Sequence, residues 1–415
     1  MPLTETVAVA LFVVTYVGMA LGRFPGLRID RTGIALVCAI ALVLSGAIPP
    51  AAVAGAIDFP TLAILFGLMI LSAQYAGSGF YDWCAYKVAG GGGKAPSPVR
   101  LMVVTVAVGG GLSAVLANDV VVFAMTPMLC AGLTRRGLDP RPYLIALAGA
   151  ANAGSAATVI GNPQNILIAQ AGGLDFWRFL AVCGVPALVA LGCVLGVVLW
   201  VWRGRLVLAH PPAAGAVTPP SLDRWPLAKA VAATLALLAL FATPLPQDMG
   251  VLAVAGAMLV SRQMASRTML GMVDWHLLVL FAALFTVNHA LALTGIPASL
   301  VVGLQDMGLF PDRLAVMTPL ALVASNSIGN VPAVILLLNA WTTPPEGALY
   351  ALALLTTLAG NLLLLGSLAN IIMVERAALA GVRLGFADHA RCGIPMTVLS
   401  MGFAAAWLWG GGWIG

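Results

Sequence analysis

Apolar stretches close to 20 residues long recur from one end of the chain to the other, broken by short polar or basic segments. That is about the length an α-helix needs to cross roughly 30 Å of hydrocarbon. The pattern predicts crossing helices over about 3–22, 33–47, 60–78, 180–201, 229–243, 249–261, 275–294 and 394–412. Two more start near Tyr143 and near residue 349, and both are interrupted: one at "TVIGNPQNILIA", the other at "LLLGSLANIIM". Gly161 and Pro163 break the first of these, since proline lacks the N–H and clashes with the preceding turn.

Basic residues collect in short segments and set the orientation by the positive-inside rule. Arg23, Arg28 and Arg31 place the first loop in the cytoplasm, and the N-terminus outside. The segment after residue 78 carries Lys87, Lys94 and Arg100; its first half suits an interfacial helix and its glycine run a hinge. The apolar block 101–133 then has basic residues at both ends, with Arg135, Arg136 and Arg141 following it. A single crossing cannot return to the same side, so the block is expected to be a re-entrant hairpin with its tip at Asn118 and Asp119. The block 314–343 is expected to be a second hairpin, entering from outside. The proline-rich stretch 203–228 reads as a cytoplasmic linker between a first half, 1–202, and a second, 229–415.

The halves resemble one another. "LFGLMILSAQ" from Leu65 pairs with "LFAALFTVNH" from Leu280, "SAVLAND" from Ser113 with "SNSIGNV" from Ser325, and "GNPQNI" from Gly161 with "GSLANI" from Gly366. Each half has five crossings, so the second is inverted relative to the first. The expected fold is an all-α polytopic membrane protein of two inverted repeats, each with five transmembrane helices and one re-entrant hairpin. Such repeats with paired broken helices point to secondary transporters, which bind substrate near mid-membrane.

Composition agrees: 415 residues are 61% hydrophobic and only 8% charged, with a mean hydropathy of +1.02. The net charge of +5 is explained by the basic loops, with no need for a nucleic-acid partner. Six scattered cysteines form no CxxC spacing, and four histidines form no HExxH pair, so neither a metal site nor an intramembrane enzyme is expected.

The candidate chemistry lies at the hairpin tips and helix breaks. A carboxylate at membrane depth costs on the order of 2.5–3.5 kcal/mol by insertion scales, which makes Asp119 the leading candidate for a coupling ion, H⁺ or Na⁺. Asn118 and Asn330 stand beside it as further coupling-ion ligands, while Val331 occupies the place that matches Asp119. Ser113, Asn118, Asn162, Asn165, Ser325, Asn326, Asn330, Ser367 and Asn370 are the expected substrate-binding residues. Amides and hydroxyls suit a small cation, and helix N-termini suit an anion. The competing reading is that these side chains only cap backbone groups. His289, which matches Gln74, reads equally as a proton relay or as a packed histidine.

"LANDVVVFAMTP", "GSAATVIGNPQNILIA" and "LAGNLLLLGSLANIIMVERA" resemble the ion transporter superfamily. Within it the chain is most similar to the arsenite permease ArsB, sodium/proton antiporter NhaD and citrate-permease-like group. The resemblance spans nearly the whole chain. It implies a bacterial inner-membrane homodimer with a fixed scaffold and an elevator-like moving transport part. The hairpins and helices 3–5 and 8–10 would then belong mainly to transport, and helices 1–2 and 6–7 to the scaffold. The sodium-coupled dicarboxylate branch carries Ser-Asn-Thr at its tips. Here the tips read Ala-Asn-Asp and Ser-Ile-Gly-Asn, and the first resembles the arsenite-permease side. Two functions remain open on the residues: transport of a small anion or oxyanion coupled through Asp119, or Na⁺/H⁺ antiport of the NhaD type.

Overall fold

The computed structural model describes residues 3–21, 28–88, 97–207, 219–341 and 343–415. The glycine run at 90–93 and the centre of the linker, 208–218, lie outside the described residues. Among the described residues the chain is helical, with one isolated bridge between Leu138 and Val207.

The first half runs α1 (Leu3–Leu21), α2 (Arg31–Leu44), α3 (Pro50–Ala56), α4 (Phe59–Gly77) and α5 (Phe80–Val88). It continues with α6 (Pro98–Val115), α7 (Asn118–Arg135), α8 (Pro140–Ser155), α9 (Pro163–Gly172) and α10 (Phe176–Val201). The second half repeats that succession of long and short helices. It comprises α11 (Arg224–Leu240), α12 (Gln247–Leu259), α13 (Ser266–Gly271), α14 (Trp275–Ala292) and α15 (Ile296–Asp306), then α16 (Leu314–Ile328), α17 (Asn330–Ala340), α18 (Glu346–Ala359), α19 (Leu368–Leu379) and α20 (Phe386–Gly410). A short 3₁₀ turn, Leu364–Gly366, lies in the second break. Among the described residues six helices (α1, α4, α6, α10, α14 and α20) are long and apolar enough to cross a membrane. The segment after residue 78 forms α5, and α10 and α20 begin several residues earlier than the apolar pattern predicts.

Aspartates start many of these helices. Asp30, Asp58, Asp139, Asp175, Asp223 and Asp274 each accept a backbone N–H from the first turn, satisfying a donor that has no partner within its helix. Asp58 and Asp274 occupy corresponding places at the starts of α4 and α14.

Helix packing sorts the elements into two groups. In one, α2 packs on α14, α4 on α12, α1 on α2 and α14, and α11 on α12 and α4. In the other, α6 packs on α8, α10 on α8 and α20, α7 on α8 and α19, α16 on α18, and α17 on α9. Contacts between the groups run through α4–α9, α14–α17 and α1–α16, and α5 bridges α4 and α7. This differs from the expected division, which put helices 3 and 8 with the hairpins. Those helices are α4 and α14, and both pack mainly in the first group. Gly67 of α4 leaves room for Val251 of α12, and the Asn288 amide of α14 donates to the Tyr16 hydroxyl of α1 at 2.9 Å.

In the second group, glycine brings backbones together. Gly154 of α8 lies so close to the Gly110 carbonyl of α6 that a methyl group there would collide with it. This contact seats the first hairpin arm against the first helix break.

Candidate functional site

Each half builds one helical hairpin and one broken helix, and the two broken helices interlock. The breaks fall at 156–162, between α8 and α9, and at 360–367, between α18 and α19. A break leaves carbonyls at the end of one segment and N–H groups at the start of the next without helical partners.

Asn165 and Asn370 answer the first need in the same way. The Asn165 amide donates to the carbonyls of Ser155 and Thr158 at 3.1 and 2.9 Å. The Asn370 amide donates to those of Gly360 and Leu363 at 2.8 and 3.1 Å. Both side chains are fully buried, so each amide is committed to its own break.

The breaks are then cross-linked. Asn162 caps α9 by accepting the Asn165 N–H at 3.0 Å, and its amide donates to the hydroxyls of Ser155 at 3.0 Å and Thr357 at 3.2 Å. Gln164 donates to the same Thr357 hydroxyl at 3.0 Å, and Thr357 donates to the Asn165 oxygen at 3.4 Å. On the other side, the Ser367 hydroxyl donates to Asn152 Oδ1 at 2.9 Å, and the Asn152 amide donates to Asn361 Oδ1 at 2.8 Å and Asn370 Oδ1 at 3.4 Å. Asn152, Gln164, Thr357 and Asn361 are all buried, and none of them was singled out in the sequence.

The first hairpin tip joins this network. The Asn118 backbone N–H donates to the Gly161 carbonyl at 3.2 Å, and its side-chain amide to Asn152 Oδ1 at 3.2 Å. Asn118 Oδ1 accepts the Asp119 N–H at 2.9 Å. Asn330 repeats that last contact at the second tip, accepting the Val331 N–H at 2.9 Å. Asn326 donates to the carbonyls of Leu322 and Ala359, both at 2.9 Å, and its oxygen faces Gly366 without a hydrogen-bond partner. Ser113 and Ser325 hold matching places on the first arms of the hairpins. Both are completely buried, and among the described residues both hydroxyls are without a partner, a costly state for a polar group unless something binds it.

Asp119 is half-buried in the first turn of α7, where the helix dipole favours negative charge. Its carboxylate makes no ion pair among the described residues. It opens into a cleft of about 50 Å³ lined also by Leu65, Leu68, Met69, Asn162, Pro163 and Asp274, which is room for water or a small ion. Asp274 caps α14 and reaches this cleft through tertiary packing alone.

His289 is only partly buried and lies on α14, in the first group of helices, and none of the network bonds described above involves it. The histidine that does touch the network is His389 on α20. It is fully buried, with Nε2 donating to the Asn361 carbonyl at 3.1 Å and Nδ1 lacking a partner among the described residues. Among the described residues no group of three histidine, cysteine or acidic side chains could hold a metal.

Comparisons with known proteins agree with this architecture. A family model described as "Citrate transporter" matches residues 10–347. The chain is 34% identical to the inner membrane protein YbiR of Escherichia coli, over 78% of this chain and 81% of that one. It is 28% identical to an uncharacterized transporter of Mycobacterium tuberculosis over 97% of this chain and 98% of that one. Among solved structures, the YdaH transporter of Alcanivorax borkumensis superposes with a TM-score of 0.58 at 14% identity. That match covers 99% of this chain and 98% of the other, and the YdaH topology is described as unusual.

Proposed function

Because the chain belongs to the citrate transporter family of membrane transporters, we propose that it moves a small anion or oxyanion across the bacterial inner membrane, coupled to H⁺ or Na⁺ through Asp119. The observation that carries this reading is the convergence of three helix N-termini. That of α7 lies at the first hairpin tip and those of α9 and α19 at the breaks, tied together through Asn118, Gly161, Asn152, Thr357 and Ser367, while α17, which starts at the second tip, packs on α9. Helix N-termini present N–H groups and partial positive charge to an anion without a basic side chain. Among the described residues the Ser113 and Ser325 hydroxyls have no hydrogen-bond partner and the Asp119 carboxylate no ion pair, and all three are oxygen donors of the kind a coupling cation needs.

The two packing groups supply the moving parts: α6–α10 with α16–α20 as the transport body, and α1–α4 with α11–α14 as the scaffold, a homodimer meeting through the scaffold. The transport body would slide as an elevator and carry the site past a fixed wall. The test is uptake of citrate, succinate and arsenite into proteoliposomes under an imposed Na⁺ or pH gradient. Gradient-dependent accumulation of one of them supports the reading, and gradient-independent leakage of all three refutes it.

One observation favours a second reading, Na⁺/H⁺ antiport. Two carboxylates, Asp119 and Asp274, line the same cleft, with no lysine or arginine among its walls. The same vesicles answer this, because an antiporter releases protons on a Na⁺ jump with no anion present.

A further inference from the structure

The repeat predicts which contacts should occur twice, and the network departs from it at one residue. Counting from the Gly161/Gly366 pair, Asn152 corresponds to Thr357, Asn162 to Ser367 and Asn165 to Asn370. The contacts follow that correspondence. Ser367 donates to Asn152 as Asn162 donates to Thr357. Asn152 donates to Asn370 as Thr357 donates to Asn165, at 3.4 Å in both cases.

Two contacts of Asn152 have no counterpart. It accepts from Asn118 at the first hairpin tip, at 3.2 Å, whereas among the described residues no side-chain bond joins Asn330 of the second tip to Thr357. It also donates to Asn361, whose counterpart in the first half is Ala156, which has no polar side chain. Asn361 continues outward, donating to the Gly149 carbonyl at 3.2 Å and accepting from His389 through its own carbonyl.

All four hydrogen-bonding places of the Asn152 carboxamide are therefore occupied, two as acceptor and two as donor. They join three separate elements: the tip of hairpin 1, the first broken helix and the second broken helix. The link is made only on the side that carries Asp119.

We infer that Asn152 is the positioning residue that couples cation occupancy at the first hairpin tip to anion binding at the second helix break. This rests on the proposed transport reading and adds which residue makes the two ligands cooperate. A cation at Asp119 shifts the tip, and with it the Asn118 amide that Asn152 receives. Because the carboxamide is planar, a rotation that follows Asn118 also re-aims its bonds to Ser367, Asn361 and Asn370. Coupling between two binding equilibria is reciprocal: the anion must raise cation affinity by the same factor that the cation raises anion affinity.

The test uses purified full-length protein in nanodiscs, with Na⁺ titrated, or pH stepped, with and without citrate, succinate and arsenite in turn. Binding is read as the rise in melting temperature that each ligand produces. In the unchanged protein one of these anions should tighten cation binding by a factor in the usual allosteric range of about 5–150-fold. Asn152→Thr, which installs the residue of the matching position, keeps a hydroxyl for Ser367 but cannot also hold Asn118 and Asn361. Each ligand alone should still bind, and the mutual factor should fall below about twofold. If Asn152→Thr does not fold, Asn361→Ala removes one arm of the link without touching the hairpin tip, and it should reduce the factor in part. An undiminished factor in either folded variant overturns the inference and leaves the transport reading standing. The absence of linkage in the unchanged protein with every cation and anion pairing overturns both.

Discussion

Asn165 and Asn370 look like ligands in the sequence and are spoken for in the fold. Each amide satisfies two carbonyls at its own helix break. Losing it leaves buried acceptors unpaired, at on the order of 1–3 kcal/mol each. Asn165→Ala and Asn370→Ala should therefore lower the melting temperature of the purified protein by several degrees; an unchanged melt would return them to the role of substrate ligands. Ser113 and Ser325 are the opposite case, with buried hydroxyls that lack partners. Ser113→Ala should leave the melt nearly unchanged and weaken the apparent affinity for the coupling cation, and unaltered cation dependence of flux would exclude it from the site. These residues were legible because the halves repeat them. Asn152 was not, since it lies among alanines and glycines in α8 with no motif around it. Asp274 was equally hidden, as a helix cap that only the packing of α14 brings to Asp119.

The same divide runs through the elements. The breaks could be read because glycine, proline and asparagine cluster where a helix cannot continue, and the expectation that block 101–133 turns back at Asn118 came from basic residues at both its ends, where the structure has α6 end and α7 begin. The starts of α10 and α20 were harder: Phe176 and Phe386 follow polar segments that read as loops. Close backbone approach was invisible as well. Nothing in "AGAANAGS" says that Gly154 rests on the Gly110 carbonyl. Gly154→Ala should force α6 away from α8, at a cost of about 1–3 kcal/mol typical of overpacking. The expected result is poor yield of folded protein and an early melt, and a variant with normal stability would show that this crossing tolerates a methyl group.

At the scale of the whole molecule, two inverted halves were expected from internal similarity, and the succession of helices recurs in both. The expected grouping of helices differs from the observed packing at α4 and α14, because hydrophobicity does not say which helices pack together. Leu68 on α4 and Ile166 on α9 line the same cleft from opposite groups. Cysteines at these two positions should stop flux when oxidised and restore it on reduction; flux that persists with the bond formed would rule out sliding at this interface. The central claim is that Asp119 couples transport. It is tested most directly in vesicles carrying a pH-sensitive dye, given a Na⁺ jump without and then with citrate, succinate or arsenite. The account predicts a response only once an anion is added, and no response at all from a folded Asp119→Asn variant. A proton flux driven by Na⁺ alone would contradict the anion reading, and full coupling in Asp119→Asn would contradict the role of the carboxylate itself.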